Sequence, residues 1–158
     1  MVSEESKRWR RLEDLEDNKV LEFRQTVIAF EKTLDEAKSA YADLQQYFNE
    51  TDQEIQKTNA IHELQSIQRS RDFLESLRTA LKQQQSSILQ KEQHLESLKE
   101  QLLLLYQKKE SYGVLAETAE TNAQKAQNRL EQKNLDELAQ NSYLRSQSQS
   151  SNPSKKDI

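Results

Sequence analysis

The second half of the chain decides the fold, and from Ile67 to Leu130 it reads IQRSRDFLESLRTALKQQQSSILQKEQHLESLKEQLLLLYQKKESYGVLAETAETNAQKAQNRL. A series of apolar residues recurs there at intervals of three and four, on the a and d positions of one heptad frame: Leu74, Leu77, Leu81, Ile88, Leu95, Leu98, Leu102, Leu105, Tyr112, Ala116, Ala119, Ala123, Ala126 and Leu130. A period of 3.5 residues is slightly shorter than the 3.6 of a straight α-helix and predicts a coiled coil. This stripe of a and d side chains, the seam, needs a second helix to cover it.

The composition agrees with long helices and not with a compact core. Only 34% of the 158 residues are hydrophobic, 32% are charged, and the chain contains one Gly, one Pro and no Cys. Regular periodicity favours helices over disorder between Leu12 and Leu138. A net charge of -4 without a basic cluster argues against nucleic-acid binding. No apolar run approaches the ~20 residues that span a bilayer, so we expect a cytoplasmic protein.

A first helix is predicted for residues 4–48. Ser3 can cap it, and its own stripe comprises Val20, Phe23, Val27, Phe30, Leu34, Ala37, Tyr41, Leu44 and Phe48. The step of five from Leu15 to Val20 predicts a slip in register. Asn49, Thr51 and Asp52 favour turns, so we place a turn within residues 49–59 and a second helix over residues 60–145.

These lengths predict an all-α fold, a long two-helix antiparallel coiled coil forming a single domain over residues 4–145. The second helix is the longer one, so its part from about Leu105 to Leu144 should overhang without a partner in the chain. Alanine occupies the overhanging seam from Ala116 to Ala126 and loses little when it faces water. The Ser- and Gln-rich segment 146–158 is predicted to be disordered.

Catalytic chemistry has no support in the sequence. One glycine is too few for a phosphate-binding loop, and no cysteine nucleophile is present. His62 and His94 lie too far apart along the chain to share a metal on one helix face. The sequence therefore predicts a protein that is not an enzyme and has no catalytic residue, metal or cofactor. Phe73 is either packed beside the seam or offered to a partner, and Leu103 and Leu104 are either covered by Trp9 or exposed.

Three segments resemble a known family. Asn128-Arg-Leu-Glu-Gln-Lys-Asn-Leu-Asp-Glu-Leu-Ala-Gln140 is similar to the C-terminal signature of the FliJ family, the flagellar type III export stalk proteins. Leu12-Glu-Asp-Leu-Glu-Asp-Asn-Lys-Val20 resembles the start of that family's first helix, and Phe73-Leu-Glu-Ser-Leu-Arg-Thr-Ala-Leu81 its mid-chain element. The C-terminal signature is the most specific of the three, because coiled coils match one another easily.

This resemblance implies a monomeric stalk and chaperone component that joins a hexameric export ATPase to the cytoplasmic domain of a membrane export gate, with export chaperones as further partners. The family's gate-binding positions correspond to Leu44, Tyr47, Phe73, Leu77 and Ala80. For the ATPase pore we expect the seam alanines and the signature segment: Ala116, Ala119, Ala123, Arg129, Leu130, Lys133, Leu135 and Leu138. The protein would be cytoplasmic and peripheral at the inner membrane through its partners.

Two alternatives are open at this point. The first is the equivalent stalk of a virulence injectisome, of the YscO type, which would use the same mechanism in another machine. The second is a plain homodimeric scaffold, in which the overhanging helix pairs with a second copy of itself.

Overall fold

The computed structural model describes residues 2–58 and 64–151, which form two long α-helices packed against each other. Helix α1 spans Glu4–Thr58 and helix α2 spans Leu64–Ser150. The ion pairs Glu31–Lys99 and Lys38–Glu92 join the two helices, and their order along the chain shows that the helices are antiparallel. The predicted all-α, two-helix coiled coil is therefore confirmed.

The contacts divide the chain into two compact units, where the sequence predicts a single domain. The central unit is Glu16–Gln107, and the terminal unit combines Met1–Leu15 with Lys108–Ile158. Both helices contribute to each unit. We describe the two units separately, because their cores are built from different kinds of side chain.

The central unit has an apolar core on the predicted heptad frame. Its centre is a cluster of buried Val27, Leu34, Leu95 and Leu98, against which Phe23, Phe30, Ile88 and Leu102 pack. Val20, Ala37, Leu74 and Leu77 are buried at the same kind of position. The polar seam residue Gln84 is accommodated because its side-chain amide donates to the carbonyl oxygen of Ala37 at 3.4 Å. Charged pairs cross the helices beside this seam.

The predicted turn at residues 49–58 is wrong, because α1 continues as a helix to Thr58. The physical reason lies in the seam, whose spacing continues from Phe48 through Thr51 to Ile55, all partly buried. Turn-forming residues lower helix propensity by less than about 1 kcal/mol each, which such packing offsets. Gln46 also donates to Glu50, and Gln56 to Asp52, along the helix surface. Residues 59–63, which include the rest of the predicted turn and the predicted start of the second helix, lie outside the described residues.

Helix α1 begins at Glu4, and Ser3 caps it as predicted. The amide of Ser6 donates to the Ser3 hydroxyl oxygen at 3.0 Å, and the amide of Ser3 donates to the Ser6 hydroxyl oxygen at 2.9 Å. This reciprocal pair satisfies two amides that a helix start leaves without carbonyl partners. Glu4 and Glu5 then complement the helix dipole in the first turn.

The predicted slip in register between Leu15 and Val20 is also wrong. The frame of Val20 continues backwards without interruption through Glu16, Glu13, Trp9 and Ser6. Ser6 and Glu16 are buried, whereas Leu15 is exposed. The apolar pattern could not show this register, since three of these four seam residues are polar.

The unpaired part of α2 begins later than predicted. In the terminal unit, Ala116 and Ala119 are buried, at 0% and 7% exposure, and Ala123 is half-buried. Every residue from Asn128 to Ser150 is exposed. The overhang predicted from Leu105 is thus reduced to about 35 Å of helix at ~1.5 Å per residue. The helix also continues through residues 146–150, where disorder was predicted, and residues 152–158 lie outside the described residues.

Candidate functional site

An exposed aromatic pair lies on the central unit. The ring of Phe73 meets the ring of Tyr47 edge-on, with centroids 6.2 Å apart and planes at 85°. The two side chains are 44% and 50% exposed. Both occupy g positions, which face each other across an antiparallel coiled coil and flank the seam. Phe73 is therefore partly covered by α1 through Tyr47 and partly exposed beside the seam.

The other predicted gate residues differ in their access to solvent. Leu77 is buried in the seam at 8% exposure, so it is not accessible to a partner in this structure. Leu44 and Ala80 are half-buried. The guanidinium of Arg78 lies 5.6 Å from the ring centroid of Phe48, a further contact between the helices near this surface.

The predicted ATPase-binding residues fall into two groups. Arg129, Leu130, Lys133, Leu135 and Leu138 are all exposed on the unpaired part of α2. Ala116 and Ala119 are instead buried within the chain, so the prediction that they stand bare is wrong. The reason is the register of α1, whose first turns reach this far along α2.

The contacts that cover these alanines were not predicted from the sequence. Trp9 stacks on Tyr112, with ring centroids 6.0 Å apart and an interplanar angle of 23°. Arg10 makes a bidentate ion pair with Glu120, in which its Nε and Nη2 donate to the two carboxylate oxygens at 3.1 Å each. A third donor, Nη1, reaches Glu13 at 2.8 Å. The sequence does contain a signal for the ion pair. The continued heptad frame places Arg10 and Glu120 at e positions, as it does Lys38 and Glu92.

The ion pair shifts the titration of both partners. The hydrogen bonds from Arg10 lower the pKa of the Glu120 carboxyl below its ordinary value, against the opposing effect of burial. The hydrogen bonds that Arg10 donates to Glu120 and Glu13 raise the pKa of Arg10 above its ordinary value. The carboxylate therefore stays ionised, and the bidentate pair persists, to lower pH than an isolated glutamate would allow.

Leu103 and Leu104 are both exposed, and Trp9 packs on Tyr112, so the alternative in which Trp9 covers these leucines is wrong. The ring of His94 meets the ring of Phe30 edge-on, with centroids 4.9 Å apart. His62 lies outside the described residues. Within residues 2–58 and 64–151, no three His, Cys, Asp or Glu side chains are grouped as metal ligands would be. The same residues include no helical stretch of the length and apolarity that crossing a membrane requires.

A two-helix antiparallel coiled coil with an exposed aromatic pair and a long unpaired helix end is a coiled-coil interaction protein. The family model described as Flagellar FliJ protein matches residues 5–148, nearly the whole chain, and the chain belongs to this family. Comparison with curated proteins and with solved structures gives no match. FliJ proteins are non-enzymatic components of flagellar protein export, with a general stalk and chaperone role, and this role applies to the present chain.

Proposed function

We propose that this protein couples the hexameric ATPase of flagellar type III export to the cytoplasmic domain of the membrane export gate, and that it binds export chaperones. The observation that carries the proposal is the part of α2 from Asn128 to Ser150, hereafter the free helix, in which every residue is exposed. A helix at the end of a coiled coil with no second helix beside it is suited to enter a channel or groove of another protein.

The free helix carries leucines that no described part of the chain covers. Leu130, Leu135 and Leu138 are 59%, 60% and 65% exposed. Burying one such side chain fully in a partner contributes about 1.5–3 kcal/mol. Arg129 and Lys133 lie among these leucines and are positioned to pair with acidic groups of the partner. The proposed ATPase surface thus consists of Arg129, Leu130, Lys133, Leu135 and Leu138, with Ala123 at its inner edge.

The proposed gate surface is the aromatic pair of Tyr47 and Phe73. Aromatic residues with partial exposure are frequent among the side chains that dominate binding energy at protein interfaces. Leu44 and Ala80 are half-buried. Leu77 is buried in the seam, so we propose that it contributes to the gate surface only by packing between the helices.

A truncation after Gln127 tests the ATPase surface. The shortened chain keeps the covered part of α2, so its helical packing should be preserved while binding to the purified ATPase hexamer is lost. The matched point variant is Leu135→Ala with Leu103→Ala as control, because both leucines are exposed to a similar extent on different surfaces. Binding of the truncated chain at full strength would contradict this assignment.

The variant Phe73→Ala tests the gate surface. We expect its affinity for the isolated gate domain to fall by about tenfold or more, since a partner anchor of this kind typically contributes over 1 kcal/mol. The control Leu89→Ala removes another exposed side chain of the central unit. Sedimentation of the wild-type chain alone should give a monomer; a stable dimer would support the scaffold alternative instead.

A further inference from the structure

The first three turns of α1, residues 4–15, hereafter the N-terminal cover, are held to α2 by contacts of small area. Ser6 and Ala116 are fully buried, but a hydroxymethyl and a methyl group remove little apolar surface from water. The larger contacts are the stacking of Trp9 on Tyr112 and the ion pair of Arg10 with Glu120. No leucine or valine of the cover is buried.

The ion pair is also partly open to solvent, since the side chains of Arg10 and Glu120 are 39% and 32% exposed. Ion pairs in such positions stabilise weakly, and chain ends with few buried apolar contacts open most readily. The cover should therefore separate from α2 at a small fraction of the cost of unfolding the central unit.

The cover hides the surface that continues the free helix. Ala116 and Ala119 lie directly before it on the same helix and become accessible only when the cover leaves. Release would extend the accessible surface of α2 from Asn128 back to Tyr112, by about four turns. It would also leave the carboxylate of Glu120 without the guanidinium that now neutralises it.

We propose that the N-terminal cover is a releasable, autoinhibitory element that competes with the ATPase for the Tyr112–Ala123 surface of α2. This inference rests on the proposed function and adds a regulated step to it. The ATPase surface should be complementary in charge and shape. It should place an arginine or lysine opposite Glu120 and pack closely against the small side chains of Ala116 and Ala119. The partner thereby replaces both the ion pair and the packing that the cover provides.

The variant Arg10→Glu tests this proposal by opening the cover. Trp9 is the sole tryptophan of the chain, so its fluorescence reports on the cover directly. We expect a red-shifted emission and faster amide hydrogen exchange in residues 7–15, with exchange of the central unit unchanged. Apparent affinity scales with the fraction of molecules in the binding-competent state, so affinity for the ATPase hexamer should rise about five- to tenfold.

Two variants serve as controls. Arg8→Glu makes the same change in net charge at an exposed position two residues before Arg10, outside the ion pair. It should leave both fluorescence and affinity as in the wild type. The double variant Arg10→Glu/Glu120→Arg restores opposite charges across the helices and should return both towards wild-type values. Glu120→Arg alone should open the cover without the gain in affinity, because it removes the carboxylate that meets the cation of the partner.

The outcomes separate this inference from the proposed function. An opened cover with unchanged affinity, or a tryptophan signal that Arg10→Glu does not alter, overturns the inference while wild-type binding upholds the proposed function. Absence of ATPase binding in both the wild type and Arg10→Glu overturns the two together. Tighter binding by Arg10→Glu, reversed in the double variant, supports both.

Discussion

The central and terminal units use one heptad frame but fill it with side chains of very different size. In the central unit the seam is filled by Val27, Leu34, Leu95 and Leu98, which bury large side chains. In the terminal unit the corresponding positions hold Ser6, Glu13, Ala116 and Ala119. Helix pairing therefore needs only the period, whereas the strength of pairing depends on the volume of the side chains placed on it. We therefore expect one continuous repeat to contain a strongly packed part and a weakly packed part.

The largest effect should come from removing core volume in the central unit. Leu34→Ala should lower the free energy of unfolding by roughly 2–4 kcal/mol, because it deletes transfer energy and leaves a cavity. Thermal or urea denaturation followed by circular dichroism measures this loss. Leu89→Ala, which truncates an exposed leucine of the same unit, should change stability by less than about 0.5 kcal/mol. Equal losses in the two variants would contradict the core assignment.

A smaller and local effect is expected from adding volume to the terminal unit. Ala116 is fully buried, so Ala116→Leu should force the N-terminal cover away at a cost of about 1–3 kcal/mol. Hydrogen exchange should accelerate in residues 7–15 and remain unchanged in the central unit. Ala126→Leu adds the same atoms at an exposed position and should have no such effect. If global melting falls instead, the two units are not separable in stability.

A gain in stability is expected at Gly113, in the middle of α2. Glycine in a helix costs about 0.5–1 kcal/mol relative to alanine. A Cβ at this position would lie 3.1 Å from Oε1 of Glu13, the end of a side chain that can shift by a few tenths of an ångström. Gly113→Ala should therefore stabilise the terminal unit by about 0.5 kcal/mol, seen as slower exchange there. A net destabilisation would show that Arg10 holds Glu13 too firmly to move.

The smallest effect is a pH dependence of the N-terminal cover. The folded pKa of Glu120 lies below its unfolded value, so the ion pair contributes fully above the unfolded pKa and is lost as the pH falls through the folded one. Arg10 and Glu13 are the charged groups of α1 that meet at this pair, and Arg10 stays protonated throughout. The fluorescence emission of Trp9 should shift to the red as the pH falls through the folded pKa of Glu120. Glu120→Gln should remove that transition, and its persistence would assign it to another carboxyl group.

The sequence predicted the fold wherever the seam is apolar, and it failed where the seam is polar. The period of leucines in α2 was sufficient to predict the buried residues from Leu74 to Leu98. Glu16 and Ser6 carry no hydrophobic signal, so the register of the first turns was missed. Asn49 and Asp52 favour a turn locally, but the helix continues past them, because the seam spacing extends to the partly buried Ile55.

The candidate surfaces show the same division. Exposure of Phe73 follows from its g position, and the free leucines follow from the unequal helix lengths. Burial of Ala116 could not be derived in the same way, since it depends on where α1 begins relative to α2. Helix α1 ends ten residues later than predicted, at Thr58, and such a difference moves that point by several turns of helix.

The free helix has one further property, which concerns the side chains that a partner can engage. Glutamines on it and just before it donate to acceptors one turn ahead: Gln124 to Asn128, Gln127 to Glu131 and Gln132 to Asp136. These polar side chains already have hydrogen-bond partners within the helix, whereas Leu135 and Leu138, three residues apart, lie on one face and are exposed. We therefore expect the leucines, and not these glutamines, to make the direct contacts with a partner.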